Sequence, residues 1–230
     1  MSRADLGKEP EEVSAMFDGV ARRYDLLNDL LSLGRTKAWR KVATEVIAPK
    51  PGMRVLDIAA GTGSSSRPLA DAGADVIPLD FSKGMLDAGR KRHPDLAFTQ
   101  GDALALDFKE NEFDVTTISF GLRNTSDTSK ALRESFRVLK SGGRMVVVEF
   151  SQPTNKIFRT IYLRYLMRAL PTVARKVSSN PDAYVYLAES ILAWPNQNGL
   201  AELMKKAGFG SVQWKNLTFG IVAIHTGVKP

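Results

Sequence analysis

The chain has no cysteine and only two histidines in 230 residues. The first absence excludes disulfides, a thiolate nucleophile and a cysteine-ligated metal, and it suits a reducing cytoplasm. The second leaves His93 and His225 as the whole supply of the usual general base. Long apolar runs are also missing, so no segment reads as a transmembrane helix. Met1 to Glu12 is polar and of mixed charge, unlike a secretory signal. No internal repeat, low-complexity tract or linker divides the sequence. Residues 1–230 read as one domain, with an N-terminal helical segment at 11–48, a core at 53–150 and a helical insert at 155–195.

Positive charge is in excess. The net charge is +7 and the sequence pI about 9.6. Such a bias serves solubility, nucleic-acid binding or attraction to an anionic membrane, and the position of the charges decides among them.

Hydrophobic periodicity predicts a helix over Glu11 to Leu33, and a second that Thr36 can cap, running through Trp39, Val42 and Ile47. Pro49, Pro51 and Gly52 break the chain before a strand at Arg54 to Ile58. Further strands are expected at Val76 to Asp80, Ala97 to Gln100, Phe113 to Ser119 and Met145 to Glu149. Helices alternate with them at Ser64 to Ala72, after the N-cap Ser82, and at Lys130 to Leu139, the last ended by Ser141-Gly142-Gly143. That alternation predicts a doubly wound parallel sheet in an α/β fold. Helices follow at Asn155 to Ala169, stopped by Pro171, at Asp182 to Ala193 and at Leu200 to Ala207. Val212 to Leu217 and Ile221 to Thr226 then form an antiparallel hairpin.

One segment of this pattern carries chemistry. Val55-Leu56-Asp57-Ile58-Ala59-Ala60-Gly61-Thr62-Gly63 is an apolar strand running into a glycine turn. The next strand ends in a lone carboxylate, Asp80. Glycines let backbone approach a ligand, and the acid can accept bonds from ribose hydroxyls. A dinucleotide fingerprint needs a third glycine, and Ser66 stands in its place. The stretch Asp-x-Ala-x-Gly-x-Gly instead resembles motif I of class I S-adenosylmethionine-dependent methyltransferases. That resemblance implies a Rossmann-like sheet, mostly parallel with an antiparallel C-terminal strand. It implies a cofactor site of Asp57, Gly61, Thr62, Gly63, Asp80, Asp102, Ala103 and Ser119. Asp102 and Ala103 would meet the adenine, and Ser119 would lie under the methyl-donor pocket.

Longer segments narrow the resemblance. Phe17-x-x-Val20-Ala21-x-x-Tyr24-Asp25-x-x-Asn28, Asp80-Phe81-Ser82-x-Gly84-Met85-Leu86, Phe120-Gly121-Leu122-Arg123-Asn124 and Glu149-Phe150-Ser151-x-Pro153 are similar to the UbiE/MenG C-methyltransferases of menaquinone and ubiquinone biosynthesis. So are Asp182-x-Tyr184-x-Tyr186-Leu187-x-x-Ser190 and Leu217-Thr218-x-Gly220-Ile221-x-Ala223-x-His225. Phe-Gly-Leu-Arg-Asn is the most specific piece. Departures fall on the rim of the cofactor turn: Ser64-Ser65-Ser66, Ala60 and Leu104 to Phe108. The resemblance implies S-adenosylmethionine as cofactor and a polyprenylated demethylnaphthoquinol as acceptor, with no metal and no nucleic acid. A dual menaquinone and ubiquinone substrate range, or another small acceptor on the same fold, is the alternative. An RNA methyltransferase, a dehydrogenase and a non-catalytic binding module are disfavoured.

A quinol hydroxyl titrates near a pKa of about 10, so it needs a base or a cation to develop phenolate character. His93 is expected at the opposite sheet edge from the ligand, and so is His225. Arg123 and Asn124, which follow the fourth strand, are expected to hold the quinol oxygen. The base is then a nearby carboxylate, Glu149, or a water; the alternatives are a structural salt bridge for Arg123 and a helix-capping or arginine-pairing role for Glu149. The hairpin turn Thr218-Phe219-Gly220 and the helix with Tyr184 and Tyr186 are expected to wall the acceptor. Lys156 to Val177 carries Lys156, Arg159, Arg164, Arg168, Arg175 and Lys176 and no acid. With Ile157, Phe158, Ile161, Tyr162, Tyr165 and Leu166 on one face, it reads as a basic amphipathic helix for an anionic membrane surface. A cytoplasmic protein, peripheral at the inner face of the cell membrane, is the expectation. Oligomeric state is left open.

Overall fold

The computed structural model describes residues 34–165 and 182–230, together with Val13 and without the side chains of 182–184. The helix expected at Glu11 to Leu33, the stop at Pro171 and the cations Arg168, Arg175 and Lys176 lie outside the described residues.

Among the described residues seven strands form one sheet. They are β1 (Arg54–Ile58), β2 (Asp75–Asp80), β3 (Thr99–Gln100), β4 (Phe113–Ser119), β5 (Leu139–Phe150), β6 (Gly210–Leu217) and β7 (Val222–Val228). Their order is β3-β2-β1-β4-β5-β7-β6. The pairs from β3 across to β5 are parallel, whereas β7 is antiparallel to both neighbours. The chain leaves β1 in one direction through β2 and β3, then restarts with β4 on the other side. That reversal opens a crevice between the carboxyl ends of β1 and β4, where ligands bind in open α/β sheets.

Side chains alternate across each strand. Leu56 and Ile58 join Leu79, Ile118, Met145 and Val147 in one core, while Val55 joins Val76, Val115, Val146 and Val148 in the other. Both faces are covered, which explains the unbroken apolar runs. α1 (Arg35–Ile47) and α2 (Ser66–Asp71) cover the second core through Trp39, Ala43, Ile47 and Leu69. The first is covered by α4 (Thr128–Val138) through Leu132 and by α7 (Gln197–Lys206) through Leu200 and Met204. Between α2 and α4 lies α3 (Lys83–Arg92), capped by Ser82, whose hydroxyl accepts the Met85 N–H at 3.1 Å. α5 (Lys156–Arg164) and α6 (Asp182–Ala193) lie beyond β5.

Three local expectations are corrected. Gly34, at φ 73°, is the N-cap of α1, and Thr36 is buried inside the helix. Glycine takes that left-handed turn without penalty. Ser141-Gly142-Gly143 does not end a helix; it lies within β5 at an irregularity in the pairing with β4. A Cβ on Gly143 would stand 2.8 Å from the Lys140 carbonyl, so the bulge, not a helix cap, needs the glycine. His93 is not carried to the opposite edge. β3 has only two residues and pairs with the carboxyl end of β2, so the return is short. The His93 ring lies 3.4 Å from where a Cβ on Gly63 would be.

Phe98 fills the notch between the glycine turn and α3. A Cβ on Gly89 would fall 2.5 Å from its ring, and one on Gly63 2.6 Å. Alanine in place of glycine in a helix normally stabilises by about 1 kcal/mol, but overpacking costs about 1–3 kcal/mol. Gly89→Ala should therefore be net destabilising in urea unfolding. In a Phe98→Ala background the same change should become neutral or stabilising. Independent effects of the two changes would refute this packing account.

Candidate active site

The crevice is framed by two residues whose backbones take the left-handed conformation. Ala59 (φ 53°) follows β1 and Phe120 (φ 59°) follows β4. Alanine and phenylalanine rarely adopt it, and the strain is of the kind stored at functional sites. The two turns meet at Gly121, where a Cβ would lie 2.5 Å from that of Ala59. Only glycine lets them pack this closely.

On the β1 side, Asp80 organises the glycine turn. Its Oδ2 accepts the Gly61 N–H at 2.8 Å, and its Oδ1 accepts the Ser82 N–H at 2.8 Å. One carboxylate thus ties the turn to the start of α3. A carboxylate has about four acceptor sites, so ribose hydroxyls can bond to it as well. Gly61 (φ 58°) has nothing within 4 Å of its Cβ position among the described residues, which leaves room for a ligand against the backbone. Gly63 is different, because its missing side chain is filled by Phe98. Thr62 is buried, with its hydroxyl 3.2 Å from that of Ser64. These features suit a nucleoside-bearing cofactor.

Asp57 is fully buried beneath the turn. Its Oδ2 accepts the Ser65 hydroxyl at 2.8 Å and the Ser66 hydroxyl at 2.6 Å, while Oδ1 is buried without a partner among the described residues. Burial pushes its pKa from 3.8 up to about 6, the two serine hydroxyls oppose the rise, and Asp80 adds to it. Ser65 and Ser66 are therefore part of the site, although the sequence marks them only as departures from a family pattern. Asp102 is half-buried after β3, and its Oδ1 accepts the Leu104 N–H at 2.8 Å, which turns the chain under Ala103. Ser119 is half-buried at the end of β4, in register with Val148.

On the β4 side, Leu122–Asn124 forms a short 3-10 turn. Arg123 is 4% exposed. Its Nη1 pairs with Glu149 Oε1 at 2.9 Å and also donates to the Phe120 carbonyl; its backbone N–H donates to Glu149 Oε2 at 3.2 Å. Nε donates to Ser190 Oγ at 3.4 Å, and the guanidinium lies 5.1 Å from the centre of the Phe150 ring. Nη2 has no hydrogen-bond partner among the described residues. Glu149 Oε1 accepts the Phe150 N–H at 2.8 Å as well. The oxygens of Glu149 are thus committed to three N–H groups, and its side chain has no exposure. Asn124 Oδ1 accepts the Tyr186 hydroxyl at 3.3 Å, and its Nδ2 reaches the Phe120 carbonyl at 3.5 Å. Ser190 and Tyr186 come from α6, so that helix is fastened to the turn at two points.

His225 stands apart from this arrangement. It pairs with Val147 in the middle of the sheet, not at its far edge. It is buried, donates from Nε2 to the Gln197 carbonyl at 2.9 Å and stacks on Trp214. Burial holds its pKa below the usual value. It is a core residue. Tyr162 of α5 is buried among Ala188, Ile191, Phe150 and Ile221. Its hydroxyl is pushed well above the usual range, mainly by burial, with Arg123 opposing.

Comparison with known proteins agrees with this geometry. The chain is 60% identical over 229 residues to the demethylmenaquinone methyltransferase of Streptomyces avermitilis, covering 100% of this chain and 99% of that one. A chain in the Haloferax volcanii complex that contains the Trm112 methyltransferase activator superposes with a TM-score of 0.70 at 17% identity, over 93% of this chain and 97% of that one. Phosphoethanolamine N-methyltransferase 2 of Haemonchus contortus, solved with S-adenosyl-L-methionine, has a TM-score of 0.62 at 19% identity, over 83% of this chain and 52% of that one. These two establish the fold. Residues 5–229 match the ubiE/COQ5 methyltransferase family, and the chain belongs to that family.

Proposed function

We propose that this protein methylates a ring carbon of demethylmenaquinol, with S-adenosylmethionine as donor, to give menaquinol. The observation that carries the reading is Arg123, a buried cation held at the crevice beside the cofactor turn, in a chain so similar to a demethylmenaquinone methyltransferase from end to end. The 11–48, 53–150 and 155–195 segments act as one catalytic domain.

Asp80 receives the ribose hydroxyls, Asp102 and Ala103 border the adenine, and Gly61, Thr62 and Gly63 pass beneath the amino-acid portion. Asp57 lies below them as an acceptor for its ammonium group, and Ser119 closes the floor at β4. When bound, the cofactor supplies a methyl group already activated by positive sulfur. The chain's own residues supply alignment and a route for the acceptor's proton.

Arg123 Nη2 and Asn124 Nδ2 donate to the quinol oxygen beside the reacting carbon. The tie to Tyr186 fixes which end of the Asn124 amide faces the acceptor. As the hydroxyl proton leaves, Arg123 stabilises the phenolate and the ring carbon becomes the nucleophile. Proton transfer to Glu149 itself would break its pairing with Arg123. We therefore give Glu149 the task of holding Arg123 in place, and a water at Nη2 takes the proton. The ring carbon gains the methyl group as the methyl–sulfur bond breaks; the ring ketone so formed loses its ring hydrogen as a proton and its oxygen takes a proton back, which restores the quinol. The acceptor's prenyl tail and the cations of α5 together support a peripheral position on an anionic membrane.

Incubation with S-adenosylmethionine and a reduced demethylnaphthoquinone should add one methyl group to the ring, read by mass and fragmentation. An O-methylated product would overturn the mechanism. Arg123→Lys keeps the charge but loses the forked geometry, and turnover should fall about 10²–10⁴-fold. The folded state should survive by circular dichroism. Undiminished turnover would remove Arg123 from the reaction.

Asp57 adds a pH signature to the cofactor-free protein. Its folded pKa is raised from 3.8 to about 6. Between those values the folded chain keeps a proton that the unfolded chain has released, so this group's contribution to stability falls as pH rises, by about 3 kcal/mol in all. Asp57→Asn should therefore gain on wild type by about that amount between about pH 4 and pH 7. Parallel stability curves for the two proteins would rule out a buried, proton-holding Asp57.

A further inference from the structure

We infer that the outer face of α5 and the tip of the β6–β7 hairpin form one lipid-inserting surface for an anionic phospholipid bilayer, opening toward Arg123. This deepens the acceptor assignment above and rests on it.

The surface is assembled from two distant parts of the chain. On α5, Ile157 is 75% exposed and Ile161 60%, with Tyr165 at 41% just past its end. Spaced four residues apart, they make one helical stripe. Tyr162 is the helix's one buried residue. Phe219 on the hairpin tip is 75% exposed, and its ring lies 5.4 Å from that of Phe158. The tip therefore adjoins α5. The expectation that Phe219 walls the acceptor pocket gives way to an outward-pointing ring.

The tip is held in this shape. Thr218 (φ 47°), Phe219 (φ 58°) and Gly220 (φ 90°) are left-handed in succession. Two of them are not glycine, so the conformation is strained. The Trp39 indole N–H donates to the Thr218 hydroxyl at 2.8 Å and fastens the tip to α1. A strained, anchored turn that points a phenylalanine at solvent gains nothing in the core. In a bilayer interface the same ring is stabilised.

Charge selects the kind of bilayer. Lys156 and Arg164 are exposed and Arg159 is half-buried beside the stripe. From Lys156 to Lys176 the sequence contains no acid. Such a face is drawn to anionic lipid and not to a neutral surface. Behind it lies an apolar cluster. Tyr162, Phe150 and Ile221 pack together, and Phe150 lies under the Arg123 guanidinium. A polyprenyl chain can lie along that cluster, with its quinol head at Arg123.

Flotation with vesicles of phosphatidylcholine alone, and with added phosphatidylglycerol, tests the surface without cofactor or acceptor. Wild type should bind the anionic vesicles at low salt. Phe219→Ser should weaken partitioning about tenfold or more. Replacing Lys156, Arg159 and Arg164 by glutamine should weaken it about a hundredfold at low salt, a difference that shrinks at high salt. The pair Ile157→Ser and Ile161→Ser should also reduce binding, while turnover of a tail-less, water-soluble demethylnaphthoquinol stays unchanged. Binding unaffected by these changes would overturn the proposal. So would wild-type self-association, abolished by the same substitutions, with no vesicle binding. Failure to methylate the soluble quinol would instead count against the proposed reaction and leave the flotation result standing.

Discussion

The proposed acceptor side of this site depends on one buried ion pair. Arg123 and Glu149 are both removed from water, which costs several kcal/mol per charge before their attraction is counted. Apolar residues of similar volume would do as well for stability. A hydrophobic pair could not fix the turn after β4 against the end of β5 while keeping a cation at the crevice. Glu149 grips Arg123 by its side chain and its backbone N–H together, which sets both the turn and the guanidinium. Ser190 and Phe150 then add a contact from α6 and a ring beneath the charge. Every assignment on the acceptor side, including the orientation of Asn124, presupposes that arrangement.

The cofactor side is built in another way. Its geometry comes from backbone turns and short side chains, with one carboxylate, Asp80, tying two turns together. The glycines there do separate jobs. Gly61 leaves space for a ligand, Gly63 leaves space for Phe98, and Gly121 lets the Ala59 and Phe120 turns touch. A motif read as a single ligand cradle is thus partly a packing motif. Of Gly61, Gly63 and Gly121, Gly61 alone has open space at its Cβ position among the described residues, as a bound cofactor would need.

This division explains what was legible in the sequence. The strands could be read because residues such as Val146 and Val147 face opposite, equally dry cores, leaving a continuous apolar run. Ser82 could be read as a cap because capping is local. Ser141-Gly142-Gly143 was misleading, since the same residues suit a helix stop and a strand bulge; only pairing with β4 distinguishes them. His93 was misplaced because the two-residue length of β3 is set by tertiary contacts, not by a local pattern. Arg123, Asn124 and Glu149 could be named as candidates. A salt bridge for Arg123 and an arginine partner for Glu149 were each open as readings, but that the two are each other's partner, and that Ser190 and Tyr186 fasten the turn, was not, because no local rule joins residues that far apart in sequence.

Backbone strain gives an independent view of the same edge. Of the seven non-glycine residues with positive φ among the described residues, Ala59, Phe120, Thr218 and Phe219 lie at the carboxyl ends of β1 and β4 or in the turn beside the end of β5. Each such residue costs about 1–3 kcal/mol and persists only where its surroundings enforce it. Two of them shape the crevice and two shape the hairpin tip. Trp39 links the groups, since it packs on Phe120 and Phe150 and bonds to Thr218. Strain gathered on one rim, at both the polar crevice and the exposed apolar tip, fits an acceptor with one polar end and one greasy end. A wholly water-soluble acceptor would account for the crevice. It would leave Phe219 without a reason to be held outward.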